Sequence, residues 1–320
     1  MLKISDEEFI ATWNRYGSPK LVAEALGLQV RGVFERRKRV EEKKGITLVT
    51  RSHPDTPPCA ANVARHTQTF EKRRLYSIRN GHVIVFSDAH WWPGDPSLAN
   101  IALLRLIPRV KPDLIVANGD LLDGARISRH EPRGWSTVPT LKQELDVLVQ
   151  RTTEIEQAAG AGVALARTLG NHDIRLERWL AVRAPEVEDL PGTRLEDYIP
   201  RWPCSWSVQV NDDTIIKHRW KGGIHATYRN TLESGWNIVT GHLHSMKDAP
   251  YTDLRKDIRW GVDAGCLADP DHDAFDYVED NPTGWRSGFV VLTFREGRML
   301  WPEFCYVKDG RAWYRGEEIA

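Results

Sequence analysis

Predicted β-strands that end in loops rich in Asp, Asn and His are the feature that most constrains this chain. Between the first three of these strands, apolar residues recur at helical spacing, so predicted strands and helices alternate along the sequence. Such alternation favours a parallel sheet, in which the carboxyl ends of the strands meet at one edge. We therefore expect the polar loops to converge there. Four strands with their loops span residues 82–90, 113–123, 163–173 and 236–244. A fifth strand, 214–218, ends at His218.

The order of the predicted elements favours an α/β sandwich of mixed sheets. Helix and strand patterns alternate up to about residue 184, and strand patterns dominate after residue 205. The pair Asn80-Gly81 is typical of a type I′ turn, so we expect residues 75–78 and 82–86 to form a hairpin. The predicted helices are 97–109, 141–159 and 175–184, and the later predicted strands are 205–210, 214–218, 236–240, 258–262, 289–294 and 299–304.

The charge of the chain is unevenly distributed, although its total is zero. The 320 residues contain 44 Lys and Arg against 44 Asp and Glu. Residues 1–81 contain 16 basic and 9 acidic residues, a net charge of +7, so the remainder has a net charge of −7. Basic segments commonly meet nucleic acid, and acidic bodies commonly hold metal ions. With 41% apolar residues, the composition excludes a disordered chain.

The basic N-terminal segment predicts three helices. Ser5 and Glu8 have the spacing of a capping box at the start of the first helix. Gly17 and Gly27 stand where the first and second helices would end. The positions expected to point inward on the third helix, about residues 29–44, are Val30, Val33, Phe34 and Val40.

Residues 18–39 resemble a helix-turn-helix DNA-binding unit, with a tight glycine turn before a basic helix. The resemblance implies that the start of the third helix enters the major groove of DNA. The alternative is a small helical bundle that docks a protein or drives assembly into a homo-oligomer. The candidate DNA contacts are Gln29, Arg31, Gly32, Glu35, Arg36 and Arg37.

Three regions are predicted from these patterns: a helix-turn-helix domain at 1–45, a proline-containing linker or arm at 46–73, and an α/β domain at 74–320. The N-terminus is acidic and has no apolar core, so we expect no signal peptide. No run of about 18 apolar residues occurs, so we expect no membrane span. The four scattered cysteines favour reduced thiols and a cytoplasmic location.

The polar loops contain the ligand types of a divalent-metal site. In Asp88-x-His90 and His242-x-His244, alternate side chains of an extended chain point the same way. Both members of each pair can therefore face one ion or two adjacent ions. Carboxylate, imidazole and amide oxygen together suit borderline divalent metals such as Mn, Fe or Zn.

Five motifs, in this order, resemble those of the calcineurin-like metallophosphoesterase superfamily. Its signature is D-x-H, G-D-x-x-D, G-N-H-D/E, H and G-H-x-H, and the resemblance covers residues 82 to about 268. It implies a four-layer α/β/β/α sandwich of two mixed sheets and a hydrolase that acts on phosphate esters. The matching residues are Asp88–His90, Gly119–Asp123, Gly170–Asp173, His218 and Gly241–His244.

The resemblance also implies two divalent metal ions, for which we expect Mn²⁺, with Fe, Zn, Ni or Mg as alternatives. Two such ions acidify a bridging water and clamp the phosphoryl oxygens for in-line attack. His172 would protonate the leaving oxygen, and Asp123 would orient it. One ion would be held by Asp88, His90, Asp120 and His244, and the other by Asp120, Asn171, His218 and His242, with Asp120 bridging.

Details of the motifs favour the nuclease and phosphodiesterase branches of the superfamily. Protein phosphatases of this superfamily typically have Arg-Gly after the second Asp of the second motif and Glu at the end of the third. Here Gly124 follows Asp123, and Asp173 stands in place of the Glu. A DNA nuclease joined to a DNA-binding unit, an arrangement that resembles phage proteins, is therefore our main hypothesis. The candidate substrate contacts are Arg126, Arg129, His130, His225, Trp91 and Trp92.

Two other functions stay open at this point. The chain could be a phosphomonoesterase or a small-nucleotide phosphodiesterase whose helical arm serves assembly. It could also be a non-catalytic DNA-binding regulator that uses the phosphoesterase body as a scaffold. The acidic stretch 269–280 has no evident role in any of these functions.

Overall fold

The computed structural model describes residues 4–48, 70–129, 138–254 and 257–320. The chain divides into two compact units, 1–68 and 69–320, which are described separately below. Of the helices in the described ranges, none combines the length and the apolar character that crossing a bilayer requires.

Three helices form the first unit within the described residues 4–48. The Ser5 hydroxyl accepts a hydrogen bond from the Glu8 amide (3.1 Å), as the capping spacing predicts. Gly17 and Gly27 adopt the left-handed backbone that ends α1 and α2, where glycine carries no steric penalty. The helices are α1 (Asp6–Tyr16), α2 (Pro19–Leu26) and α3 (Val30–Lys44), and their buried core contains Phe9, Trp13, Val22, Val33 and Val40.

Two apolar side chains of α3 point to solvent instead of inward. Val30 is 42% exposed and Phe34 is 52% exposed, so the prediction is wrong for these two residues. It is confirmed for Val33 and Val40, which lie one heptad apart and define the buried face. Phe34 lies about 100° around the helix from Val33 and therefore misses this face.

The second unit first alternates strands with helices and then becomes rich in strands, as predicted. The helices α4, α5 and α6 match the predicted ranges to within one residue at each end. Its helices are α4 (Leu98–Val110), α5 (Leu141–Ala159), α6 (Arg175–Arg183), α7 (Leu195–Tyr198) and α8 (Ala226–Ser234). Its strands are β1 (Arg74–Tyr76), β2 (Gly81–Phe86), β3 (Leu114–Ala117), β4 (Ala164–Thr168), β5 (Cys204–Ser205), β6 (Val208–Val210), β7 (Thr214–Ile216), β8 (Asn237–Thr240), β9 (Lys247–Thr252), β10 (Ile258–Asp263), β11 (Gly288–Arg295), β12 (Arg298–Met299), β13 (Glu303–Lys308), β14 (Arg311–Tyr314) and β15 (Glu317–Glu318).

Two mixed sheets form the body of this unit within the described residues. One has the order β1-β6-β7-β8-β10-β9, and the other has the order β15-β14-β13-β11-β2-β3-β4-β5 with β12 beside β11. Val85 and Val116 of the second sheet pack in one core with Val208 and Val262 of the first. Helices α4 and α5 cover the second sheet, and α8 packs on β8, β9 and β10 of the first. The four-layer α/β/β/α sandwich is thereby confirmed.

The predicted hairpin around Asn80-Gly81 is wrong, because its two segments belong to different sheets. Strand β1 pairs in parallel with β6, whereas β2 pairs with β3 and β11. The Asn80 side chain accepts a hydrogen bond from the Glu296 amide (3.0 Å). The turn therefore carries the chain from one sheet to the other.

Two further predicted strands are each divided in the structure. Residues 205–210 contribute to β5 and β6, which lie in different sheets, and residues 299–304 contribute to β12 and β13. Strands β9, β14 and β15 were not among the predicted strands. Their sequences are rich in charged residues, which are depleted in buried strands.

Candidate metal centre

The predicted ligand loops converge at the carboxyl ends of the central strands and form two clusters. In cluster A (Asp88, His90 and His244), one ligand atom from each residue lies within 4.8 Å of the others. Cluster B (Asp120, His218 and His242) meets the same distance. The clusters adjoin, because the His242 amide donates a hydrogen bond to Oδ2 of Asp88 (2.8 Å).

The backbone at the two clusters is unusually strained. Five of the seven predicted ligands have positive φ angles although none of them is glycine. Such conformations cost of order 1–3 kcal/mol each and persist at functional sites, where the surrounding structure enforces them. The five residues and their angles are Asp88 (52°), His90 (39°), Asp120 (53°), His242 (70°) and His244 (55°).

Gly170 allows the second and third motifs to approach each other closely. A Cβ atom at this position would lie 2.2 Å from the backbone nitrogen of Asp120 and 2.1 Å from its Oδ1. The His172 amide, two residues further on, donates to the same Oδ1 (2.7 Å). The glycine therefore permits a contact that fixes the Asp120 carboxylate.

Nε2 of His218 faces two oxygen atoms at cluster B. Its Nδ1 lies 2.8 Å from the Asn118 carbonyl and must therefore donate to it. Its Nε2 faces Oδ2 of Asp120 at 3.1 Å and Oδ1 of Asn171 at 3.3 Å. Burial lowers the pKa of His218, but the Asp120 and Asp88 carboxylates outweigh this effect and raise it to about 10. A proton or a cation must occupy the space between these atoms, and the donor set suits a divalent metal.

Cluster A contains two buried imidazole nitrogens without a hydrogen-bond partner in the described part of the chain. They are Nε2 of His90 and Nδ1 of His244. Nδ1 of His90 pairs with Oδ1 of Asp123 (3.0 Å), which leaves its Nε2 as a free lone pair directed towards Asp88 (4.0 Å). Burial also lowers the pKa of His90, so the ring is neutral near pH 7. A neutral histidine held by a carboxylate is the usual metal-ligating arrangement.

Asp123 connects a candidate ligand to the predicted general acid. Its carboxylate contacts Nδ1 of His90 (3.0 Å) and Nδ1 of His172 (3.1 Å). Arg175 donates to Nε2 of His172 (3.0 Å) and to the Asp123 carbonyl (2.7 Å). Burial lowers the pKa of His172, but the hydrogen bond to Asp123 raises it overall.

Two buried acids, to which sequence reasoning gave no structural role, hold the ligand loops. Asp173 accepts hydrogen bonds from the backbone amides of four residues, including Asp120 (3.0 Å) and Leu121 (2.8 Å). Glu144 accepts from the Gly124 amide (2.6 Å), and burial raises its pKa to about 7. The G-N-H-D motif pointed to Asp173, but no local pattern marks Glu144.

The acidic stretch 269–280 supplies an aromatic cover for cluster A, a role that the sequence did not indicate. Phe275 is buried, and its ring centroid lies 5.3 Å from that of His90 and 5.8 Å from that of His244. Trp285 also lies against His244, with ring centroids 4.6 Å apart. These rings exclude water from one side of the cluster.

The predicted substrate contacts lie in different surroundings. Trp91 is buried in the core, and its indole donates to Asn100 (3.1 Å). Trp92 is half-buried beside His272, with ring centroids 5.9 Å apart. Arg126 is exposed and donates to the Val138 and Pro139 carbonyls. Arg129 is exposed, and so is His225 at the start of α8. His130 lies outside the described residues.

The candidate DNA contacts divide into exposed and engaged residues. Gln29 and Arg31 are exposed at the start of α3. Arg36 donates to the Ile4 carbonyl and lies over the Phe9 ring, and Arg37 pairs with Glu41 (3.0 Å). Both engaged arginines are only about a quarter exposed. They stabilise the helical unit itself, which lowers their capacity to bind a phosphate backbone. Of the other two candidates on α3, Gly32 is half-buried and Glu35 is exposed and pairs with Arg31 (3.4 Å).

Comparisons with known proteins agree with this geometry. The family profile described as calcineurin-like phosphoesterase matches residues 81–257. A search of the curated proteins finds no match. All residues of the two clusters lie within the matched range.

Solved structures that a search finds to be similar to this chain include three phosphatases. A purple acid phosphatase from seeds of yellow lupin (Lupinus luteus) has 15% identity and a TM-score of 0.35, and the alignment covers 73% of this chain and 52% of that one. A dimetal phosphatase from Danio rerio has 10% identity and a TM-score of 0.37, covering 75% and 98%. A protein serine/threonine phosphatase from Saccharomyces cerevisiae has 12% identity and a TM-score of 0.32, covering 71% and 77%. The chain thus spans about half the length of the lupin enzyme.

The match of the family profile covers more than half of the 320 residues and contains all five motifs in full. The strands place those motifs in two adjoining clusters that could hold divalent metal. The chain therefore belongs to the calcineurin-like phosphoesterase family and is a metal-dependent phosphoesterase.

Proposed function

We propose that the protein is a dinuclear metal-dependent phosphodiesterase that cleaves DNA, with Mn²⁺ as its metal. The observation that carries the proposal is the joining of two ligand clusters at the carboxyl ends of strands from both sheets, with His172 beside them. When bound, two divalent ions acidify a water molecule and neutralise the charge of the phosphoryl group. Cluster A with Asp120 would hold one ion, and cluster B with Asn171 would hold the other.

The protein's own groups then orient the ligands and move a proton. Asp123 holds His90 and His172 in fixed orientations through its hydrogen bonds. Nε2 of His172 would deliver a proton to the departing alkoxide of the DNA strand. Arg175 now donates to that same nitrogen, so it must turn aside first, and a phosphate oxygen of the substrate offers it a stronger, charge-assisted partner.

The choice of DNA as substrate is supported by the N-terminal segment. Residues 1–81 have a net charge of +7, and Gln29 and Arg31 are exposed at the start of α3. The order of three helices with a short turn before α3 agrees with a helix-turn-helix unit. Such a unit would hold the catalytic domain on its substrate.

A second candidate is favoured by a specific observation on α3. Val30 and Phe34 are exposed one helical turn apart, and several basic side chains of this helix form ion pairs within the unit. Exposed apolar pairs mark protein contacts more often than DNA contacts. In this alternative the helical unit serves assembly into a homo-oligomer, and the enzyme hydrolyses a phosphomonoester or a small nucleotide.

One experiment separates these functions. The Mn²⁺-loaded protein is assayed on single- and double-stranded DNA, RNA, bis(p-nitrophenyl) phosphate and p-nitrophenyl phosphate. We expect cleavage of DNA and of the diester, with little hydrolysis of the monoester. Hydrolysis of the small esters without cleavage of any nucleic acid would rule out the nuclease and favour the second candidate.

The same assay includes His172→Ala as its control for chemistry. An alkoxide leaving group needs a proton, whereas p-nitrophenolate leaves readily without one. We therefore expect turnover on DNA to fall about 100- to 10,000-fold, and turnover on bis(p-nitrophenyl) phosphate to fall much less. The bound Mn²⁺ should not change. Equal losses on both substrates would contradict the role of His172 as an acid.

A further inference from the structure

Three basic side chains lie together beside cluster B without an acidic partner among the described residues. We propose that Arg73, Lys217 and Arg219, with Trp220, form a subsite that binds a single polynucleotide strand on the cluster B side of the metal centre. This inference rests on the proposed function, because it deepens the substrate class of the same site. The four residues are called the basic row below.

The positions of the basic row follow from strand register. Val208 of β6 lies opposite Ile216 of β7, so Ser207 and Lys217 are neighbours one position beyond that pair. Nε of Arg73 donates to the Ser207 hydroxyl (3.1 Å), which brings the guanidinium beside Lys217.

Side-chain alternation directs this part of the row away from the core. Val208 and Ile216 are buried between the two sheets, so Ser207 and Lys217 lie on the opposite, outer face. Helix α8 packs on this sheet at β8, β9 and β10, and Leu75 on β1 is 69% exposed. The outer face near β1 is therefore accessible to a ligand, and Arg73 beside it is exposed.

The positive charge of the row is not neutralised within the protein. No ion pair to Arg73, Lys217 or Arg219 forms in the described ranges, in contrast to Arg229 and Lys221, which both pair with Glu233. Like charges gathered without a counter-charge indicate a site for an anion.

The row begins at the metal centre and ends in an aromatic side chain. Lys217 and Arg219 flank His218 of cluster B in the sequence, so phosphates next to the cleaved one would reach them. Trp220 is 42% exposed, and Nζ of Lys217 lies 5.4 Å from its ring centroid. Repeated cations beside an exposed ring fit the backbone and a stacked base of a polynucleotide strand. A single phosphate on a protein would need neither the repeat nor the ring.

Binding of a labelled oligothymidylate of about 20 nucleotides to the full chain in EDTA tests the proposal without catalysis. We expect Lys217→Ala and Arg219→Ala each to weaken binding about 3- to 10-fold and to reduce the salt slope by about 1, because each removes about one phosphate contact. Trp220→Ala should weaken binding about 10-fold through the lost stacking. Arg219→Lys should restore most of the affinity.

The matched controls are Arg298→Ala, which removes an exposed arginine paired with Asp213, and Trp301→Ala, which removes a 65% exposed ring. Neither should change binding. In Mn²⁺, the ratio of kcat/KM on the oligonucleotide to kcat/KM on bis(p-nitrophenyl) phosphate should fall about 10-fold in the row variants only.

The outcomes separate this proposal from the proposed function. If the row variants bind and cleave like Arg298→Ala and Trp301→Ala, the basic row is wrong, even where wild-type protein cleaves DNA. If wild-type protein binds the oligonucleotide through the row but cleaves no nucleic acid, the nuclease is wrong and the row stands.

Discussion

Asp120→Asn is expected to lower kcat/KM on bis(p-nitrophenyl) phosphate about 1,000-fold, which corresponds to about 4 kcal/mol of lost transition-state stabilisation. Asp120 is buried, and its two oxygens contact the His172 amide (2.7 Å) and Nε2 of His218 (3.1 Å). The substitution preserves the size of the side chain but removes the charge that would bridge two cations. Steady-state kinetics and metal content by mass spectrometry check the result, and we expect fewer than two Mn²⁺ per chain.

The control for this substitution is Asp146→Asn. Asp146 is exposed on α5 and pairs with Lys142 (2.6 Å), and surface pairs of this kind contribute little to stability. Its kinetics and metal content should match those of the wild-type protein. An Asp120→Asn protein that kept two ions and full turnover would remove Asp120 from the centre.

Gly170→Ala is expected to abolish measurable turnover and to lower the free energy of unfolding by about 1–3 kcal/mol. A Cβ atom at residue 170 would overlap the Asp120 backbone nitrogen at 2.2 Å, and backbone cannot move aside as a flexible side chain can. The third motif must then separate from the second, which displaces Asp120 and Asn171 together. Urea unfolding and the diesterase assay measure the two effects.

Gly162→Ala is the matched control in the same segment of the chain. No atom outside its chain neighbours lies within 4 Å of a Cβ built at Gly162, and its backbone is not in the left-handed region. Its activity should be unchanged, and its stability should be equal or higher by up to about 1 kcal/mol. Similar losses in both variants would show that the effect of Gly170→Ala is not steric.

The part of the site built from local signals could be predicted from the sequence. Each ligand loop follows a strongly apolar strand, and parallel strands of one sheet bring their carboxyl ends together, so the convergence of Asp88, Asp120 and Asn171 follows from local patterns. His242 follows β8 of the other sheet, and its place beside them depends on how the two sheets pack, which local patterns do not specify. The helices α4 to α6 were predictable for the same reason, since their apolar periodicity is long and regular.

Pairing between distant strands could not be predicted, because local patterns do not specify the partner. Asn80-Gly81 has the residues of a tight hairpin, yet β1 pairs with β6, more than 130 residues further along the chain. Residues 205–210 form a continuous β pattern, yet the chain changes sheet within them. Tertiary packing overrides turn propensity in both places.

Contacts made by side chains from outside the motifs also could not be predicted. Phe275 lies in an acidic stretch that reads as a solvated loop, but its ring packs against His90 and His244. On α3, the positive charge of Arg36 and Arg37 indicated DNA contacts, whereas both side chains lie over aromatic rings of α1. A charge count records how many cations a helix has and not which of them are already paired.

Anomalous X-ray scattering from crystals soaked in Mn²⁺ tests the central claim most directly, because it locates each ion independently of activity. The account predicts two manganese ions, one bound by Asp88, His90, Asp120 and His244 and the other by Asp120, Asn171, His218 and His242. A single ion, or ions bound by other residues, would contradict it.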